Sequence, residues 1–498
     1  MALGWPAWPG VGAGETTLGL GLYAWGDGLG VPGARAVQKG GTLNMSWAWE
    51  PAPSAGLFPF NFSHPSAPDV EREAALVAAR FNMLAGSVFG NSPASIVCLH
   101  EMSWLPLVQA LFDSEAGHTA LAAELRLLAT HGQRSDGYVY PRWGYVSFQT
   151  MPIHDQMGHF LVSFYEHAVN TADAALIRDV WPALMAAVGY INDTMGAGID
   201  GIGTTPTASG LPGSQTADNW FDIVTFGGRD AIVNAYICAG LNGTALLATW
   251  IGDVDAAQRL SAMHARCVAA FNALFWNETL GLYSDWVDTS DTPRHYGYIW
   301  QQAVAAEGLS GIANATRAAR MAGVVRARLA EIHTQYNMTE EELFCAPTNL
   351  WSVAPEDSFN NGTLQDQKDY GHYENGACFL ALTGMYASLL ASGGDTDGAY
   401  SLLVAMLRNS EVTALWGQHY DWIHGGTTDF NGPDVLTDTL VALRHGIMSA
   451  MGLRTALGAA WAGAPAAAGL EGASLTFRSG GVRVRAEVRG GRVRIAEV

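Results

Sequence analysis

Helical periodicity recurs twelve times between residues 69 and 457, and successive helices alternate in character. Apolar spacing predicts them near 69–89, 101–113, 115–131, 155–170, 172–190, 228–251, 253–275, 296–308, 311–333, 374–391, 394–410 and 434–457. One kind, such as HARCVAAFNALFW and ATRAARMAGVVRARLAEI, is amphipathic with Arg on one face. The other kind, such as RDAIVNAYICAGLNGTALLATW and ENGACFLALTGMYASLL, is apolar nearly all round and must be covered on every side. Taken in pairs they make six helical hairpins, with six inner helices enclosed by six outer ones. The expected fold is all-α, an (α/α)6 toroid, although an α-solenoid of stacked helix pairs gives a similar pattern.

The connections help to choose between these architectures. In front of each apolar helix lies a loop crowded with aromatic and ionisable residues: CLHEMSW, RWGYVSFQTMPIHDQ, QTADNWFD, DTPRHYGYIW, KDYGHYENG and QHYDWIHGGTTDFNGPD. Loops before the amphipathic helices, such as HAVNTAD and ASGGDTDG, are plain. With parallel inner helices, all the decorated loops fall at one end of a barrel and line one pocket. Randomly scattered surface charge would not follow every second connection. Residues 1–68, rich in Gly, Pro and Trp, are expected to form loops and short strands packed on the barrel of residues 69–457. Residues 458–498 largely alternate, with Gly-Gly breaks, and are expected to form a small C-terminal β-hairpin unit with arginines on its solvent face.

Charge narrows the partners. Only 14% of residues are charged, the formal net charge is −20, and no Lys/Arg cluster has interleaved aromatics, so nucleic acid is not an expected partner. No uninterrupted apolar run has the length of a membrane span, and residues 1–14 lack the basic start and apolar centre of a signal peptide. Asn-x-Ser/Thr acceptors at Asn44, Asn61, Asn192, Asn242, Asn277, Asn314, Asn337 and Asn361 exceed what composition gives by chance, so a secreted or lumenal glycoprotein is expected. Cys98, Cys238, Cys267, Cys345 and Cys378 leave room for one or two disulfides that spacing does not assign. No CxxC pattern, phosphate loop or nucleotide fingerprint is present, so neither a metal nor a cofactor is expected. His154 and His159 in IHDQMGHF are five apart and do not share a helix face, which favours sugar binding by His154 and Asp155 over metal ligation.

The loops carry Trp143, Trp220, Trp300, Trp416, Trp422, Tyr138, Tyr296 and Tyr373 beside Arg142, Arg229, Asp230, His372 and His419. That is the composition of a carbohydrate site: aromatic faces stack on the C–H faces of pyranose rings, and ionised or amide groups bind hydroxyls. Cleaving a glycosidic bond needs one protonated carboxyl for the leaving oxygen and one ionised carboxyl to activate water or attack the anomeric carbon.

The span from about Asp69 to Leu453 resembles the six-hairpin glycosidase superfamily, the (α/α)6 toroids that include trehalases, α-rhamnosidases, glucosidases and disaccharide phosphorylases. QTADNWFDIVTFGGRD is similar to two of its motifs. A Gln-Thr-x-Asp-x-Trp motif, whose Asp is the general acid in glucosylceramidase-type β-glucosidases, maps onto Gln215, Thr216, Asp218 and Trp220. A Trp-x-Asp motif of debranching-enzyme glucosidase sites would instead select Asp222. Asp230 and Arg229 open the next helix and either cap it or bind a sugar hydroxyl. Glu374 in HYENG is the favoured partner carboxylate, with helix capping as the plain alternative. The Trp-Glu segment usual near the last inner helix reads ALWGQHYDW here, so Gln418 cannot be the base and Glu374 or Asp421 must serve. The resemblance implies a glycoside hydrolase, inverting rather than retaining, acting on a carbohydrate. The alternatives are a glycoside phosphorylase using Arg142, Arg229 or Arg294, a polysaccharide lyase or epimerase using His372 and Tyr373 or His295 and Tyr296, and a non-catalytic carbohydrate-binding protein.

Overall fold

In the computed structural model the described residues are 37–39, 42–44, 60–84, 96–112, 115–140, 142–144, 147–149, 153–204, 219, 221, 223–226, 228–338, 345–358, 370–413, 419–420, 430–431 and 437–498. Among them the helical periods become thirteen α-helices, twelve of which follow the expected segments. Six are amphipathic: α1 (Pro68–Leu84), α3 (Glu115–His131), α5 (Ala174–Gly189), α8 (Val254–Phe275), α10 (Ala315–Gln335) and α12 (Thr396–Thr413). Short polar side chains start several of them, since a helix leaves its first amides unpaired. Asp173 accepts from Leu176 N, Asp253 from Ala256 N and Asn314 from Arg317 N. In α8 only Ala256, Leu260, Met263, Cys267, Phe271 and Phe275 are buried, one stripe at helical spacing.

The other six are α2 (Leu99–Gln109), α4 (Asp155–Thr171), α7 (Ala231–Ile251), α9 (Ile299–Ala306), α11 (Leu380–Ser392) and α13 (Thr437–Ala450). In α11 every residue from Leu380 to Ala391 is buried. Packing runs α2 on α4, α4 on α7, α7 on α9, α9 on α11, α11 on α13, and α13 back on α2. Small residues let the backbones close up: a Cβ added to Gly158 on α4 would lie 2.5 Å from the Tyr236 carbonyl carbon on α7. Ala174–Thr194 and Ala231–Ile251 are long and apolar enough to cross a membrane, which counting uninterrupted apolar runs misses, but most of the second is buried inside the fold. The thirteenth helix, α6 (Ala197–Asp200), is one turn between α5 and α7.

Three small antiparallel sheets bring the N-terminal ends of the buried helices together. Strand Ile96–Cys98 before α2 pairs with Arg142–Gly144, which pairs with Ser147–Gln149 before α4. Arg229–Asp230 before α7 pairs with Trp286–Val287, which pairs with Pro293–Arg294 before α9. Cys378–Phe379 before α11 pairs with His419–Tyr420, which pairs with Phe430–Asn431 before α13.

Most expected helix boundaries move by a few residues, and two move further. The segment predicted from 374 is a turn through Tyr373 (φ 40°) and Gly376 (φ 93°), so α11 starts six residues later, at Leu380. The last helix stops at Ala450, and Leu453–Ala456 pairs with Ala459–Ala462 as a hairpin. A second sheet near the C-terminus has the order Arg492–Glu497, Val482–Arg489, Ser474–Ser479 and Asn61–Ser63, so a strand from the first segment completes the terminal β unit. Disulfides Cys238–Cys267 and Cys345–Cys378 tie α7 to α8 and the strand before α11 to the chain following α10.

Candidate active site

The described part of the loop before α7 is stitched to its surroundings at nearly every residue. Asn219 Nδ2 donates to Asp230 Oδ2 at 2.7 Å, and Phe221 N donates to Asn219 Oδ1 at 2.9 Å. Ile223 N donates to Glu374 Oε2 at 2.9 Å. Val224 bridges Ser358, and Thr225 N donates to the Asp357 carbonyl at 2.9 Å. Phe221 stacks on Phe226 at 5.3 Å and meets the edges of Tyr298 and Trp300. The loop that carries Asp218 and the turn that carries Glu374, 151 residues apart, therefore touch.

Glu374 is completely buried. Its backbone carbonyl accepts from Tyr298 OH at 2.9 Å. Burial and the nearby Glu374 charge raise the Tyr298 phenol well above its ordinary value, so it remains a donor. The turn has its own frame: Asn375 Oδ1 accepts from Val353 N at 2.9 Å, and Thr348 Oγ1 accepts from Gly376 N at 2.9 Å. Gly376 has to be glycine, because at its positive φ a Cβ would strike the Tyr370 ring at 2.5 Å.

Three further carboxylates hold the loops around this contact. Asp230 is fully buried and caps α7, accepting from Ile232 N at 2.7 Å and Val233 N at 3.2 Å. Burial outweighs these bonds and pushes its pKa up to about 7. Asp285 is also fully buried; it accepts from Gly297 N at 3.0 Å, from Tyr298 N at 2.9 Å, and from Tyr296 N and the Gln301 side chain. Burial again dominates, and its pKa rises to about 6. Asp357 accepts from Tyr296 OH at 2.6 Å and pairs with Arg294 at 3.5 Å.

These partners redistribute the expected site residues. Asp230 takes the first of its two expected roles and caps its helix, whereas Trp300, expected to face a ligand, is fully buried with Nε1 donating to Tyr236 OH at 2.8 Å. Trp300 therefore floors the Phe221 loop and is not an open stacking face. Arg229 pairs with the exposed Asp291. His154 is buried and stacked on Tyr190, next to the buried Asp155 that begins α4. His372 and Tyr373 are half-buried in the Glu374 turn. Arg142, Trp143 and His419 sit in the small strands at the N-terminal ends. Asp218, Trp220, Asp222, Trp416, Gln418, Asp421 and Trp422 lie outside the described residues. Sequence reasoning missed Asp285, Asp357 and Asn219. The run SDW at 284–286 held a signal, an acid followed by an aromatic where a strand begins, but nothing local tells which backbone amides it will meet.

No family model and no curated protein matches the sequence. Solved structures do match by fold. The GH78 family rhamnosidase of Bacillus sp. GL1 superposes with a TM-score of 0.55 at 15% identity over 89% of this chain and 41% of that one. A Klebsiella oxytoca rhamnosidase with rhamnose bound gives 0.55 at 14% identity, covering 80% and 66%. The GH63 mannosylglycerate hydrolase from Thermus thermophilus, in complex with Tris, gives 0.52 at 13% identity, covering 75% and 99%. This chain thus spans about two fifths of the Bacillus protein but nearly all of the Thermus one. The chain has the fold of the six-hairpin glycosidase superfamily, to which these rhamnosidases and hydrolases belong.

Proposed function

We propose that the chain is a glycoside hydrolase built as an (α/α)6 toroid, with its active site at the N-terminal ends of the inner helices. Asp218 protonates the leaving oxygen, and Glu374 activates water for an inverting displacement. The observation that carries the assignment is the Ile223 N to Glu374 Oε2 hydrogen bond, which brings the Asp218 loop against the Glu374 turn. The cyclic packing of the six buried helices supports the toroid. The likeness to rhamnosidases and a mannosylglycerate hydrolase supports a small glycoside or glycan as substrate. Water is favoured over phosphate as acceptor because Arg229 pairs with Asp291, and Arg294 with Asp288 and Asp357, leaving little free positive charge in these two arginines. The two disulfides and the acceptor sites support a secretory compartment; Asn61, Asn314 and Asn337 are exposed.

The test is a panel of glycosides assayed with and without phosphate, with the anomer of the released sugar followed by NMR. Asp218→Asn and Glu374→Gln should each abolish cleavage, and Gln at 374 can still accept from Ile223 N. If Asp218→Asn cleaves at the wild-type rate, the acid is elsewhere. If Glu374→Gln does so, Glu374 anchors the loop and Asp421 becomes the base to test.

A further inference from the structure

Toward the end of the ring opposite these loops, residues of all six buried helices line a cavity of about 300 Å³. Its wall carries Glu166 from α4, Glu307 just after α9, Ser388 from α11, Arg444 and His445 from α13, and Arg454 and Trp461 from the following hairpin. An ionic cluster on the axis of an otherwise apolar ring is costly unless something uses it. Ser388 Oγ donates to Glu307 Oε1 at 3.3 Å, and Arg454 Nη2 donates to Ser392 Oγ at 3.0 Å. Arg444 Nη1 reaches His445 Nδ1 at 3.5 Å, which makes that ring nitrogen the acceptor. Burial, together with Arg444 and Arg454, lowers the His445 pKa well below its ordinary value, so the ring is neutral. Among the described residues Arg444 Nε is buried with no hydrogen-bond partner, and the Glu166 carboxyl meets only the charges of Arg444 and Glu307.

Formally two carboxylates offset two guanidiniums, and burial raises both carboxyls, Glu166 to about 7, so Glu166 can either accept from a hydroxyl or donate to one. An anion would face the two carboxylates and the negative ends of six helices; a cation would face Arg444 and Arg454. A neutral ligand rich in hydroxyls meets neither repulsion. It can donate to Glu166, accept from Arg444 Nε and lay a C–H face on Trp461, which is 45% exposed. The volume is at the small end of the roughly 300–1,000 Å³ of small-molecule sites, which suits one or two sugar rings. We infer that this axial cavity is a second binding site for a neutral mono- or disaccharide, separate from the Asp218 and Glu374 end.

Hydrogen exchange on the full chain tests this, with D-glucose, L-rhamnose, maltose, inorganic phosphate and methylammonium as probes. A neutral sugar should slow exchange in peptides covering 162–166 and 444–456. In Glu166→Gln the sugar concentration needed for that protection should rise about tenfold, the loss of one hydrogen bond to a charged group. Any protection at 219–231 should stay as in wild type. Trp461→Ala, at the surface, should weaken binding without disturbing the fold. Absence of protection at 444–456 with every sugar overturns the inference. So does protection there by phosphate or methylammonium alone, or protection unchanged in both variants. Because glycoside cleavage reads the opposite end of the ring, loss of either result leaves the other standing.

Discussion

Asp230→Asn isolates the energetic role of the carboxylate beneath the Asp218 loop. The wild-type carboxyl titrates near 7 in the folded chain against an ordinary 3.8. A raised folded pKa means the folded state holds the proton more tightly than the unfolded chain. The stability it confers is complete below the unfolded value and is lost as pH rises through the folded one. Between about pH 5 and about pH 8 the interval in which only the folded form is protonated covers about two pH units, or about 3 kcal/mol of stability lost by wild type. Asn keeps an oxygen for Ile232 N and Val233 N but cannot ionise, so the variant lacks this slope. Its side-chain N–H₂ faces the Asn219 donor, which costs about 1–2 kcal/mol at every pH. Asn219 holds the loop at 2.7 Å from Asp230, so this loss should also loosen residues 219–226. The variant should therefore be less stable than wild type near pH 5 and equal or more stable near pH 8. Urea midpoints across that range measure the crossing. Asp285, whose charge helps to raise the Asp230 pKa, titrates in the same range, so the difference between the curves reports Asp230 together with its coupling to Asp285. Parallel curves would mean that Asp230 does not titrate in this window. A wild type that gains on the variant as pH rises would mean that the amide bonds outweigh burial and the sign is reversed.

The other expectations follow from close contacts. Gly158→Ala should destabilise by about 1–3 kcal/mol, read as a lowered thermal midpoint, because its Cβ would meet the α7 backbone at Tyr236. Cys345→Ser should cost about 2–5 kcal/mol in urea melts, and reducing agent should shift wild type toward the variant without moving the Cys345→Ser midpoint as far. Tyr298→Phe removes the bond to the Glu374 carbonyl and should cost about 1 kcal/mol while raising amide exchange across 370–377.

The order of the twelve expected helices and their buried or half-buried character were legible because they follow from the identity of residues three and four apart. The stripe Ala256, Leu260, Met263, Cys267 and Phe271 is a local pattern, and so is the all-round apolarity of Ala231–Ile251. The clustering of aromatic and acidic residues before the apolar helices was legible for the same reason. Where a helix starts was less so. Residues 374–377 have helical composition, but the chain turns through Gly376 because Thr348 and Val353, distant in sequence, take up its polar groups.

What the sequence by itself determined is the alternation of covered and half-covered helices, and with it the loops in which aromatic and ionisable residues gather. Only the tertiary structure decided which of the described carboxylates hold the fold. Asp230 could cap its helix or bind a sugar until its three donors were in place, and Asp285 acquired its role from backbone amides of residues 296–298. A buried carboxylate is defined by the donors that reach it, and those come from loops the chain brings together only after the ring of helices has closed.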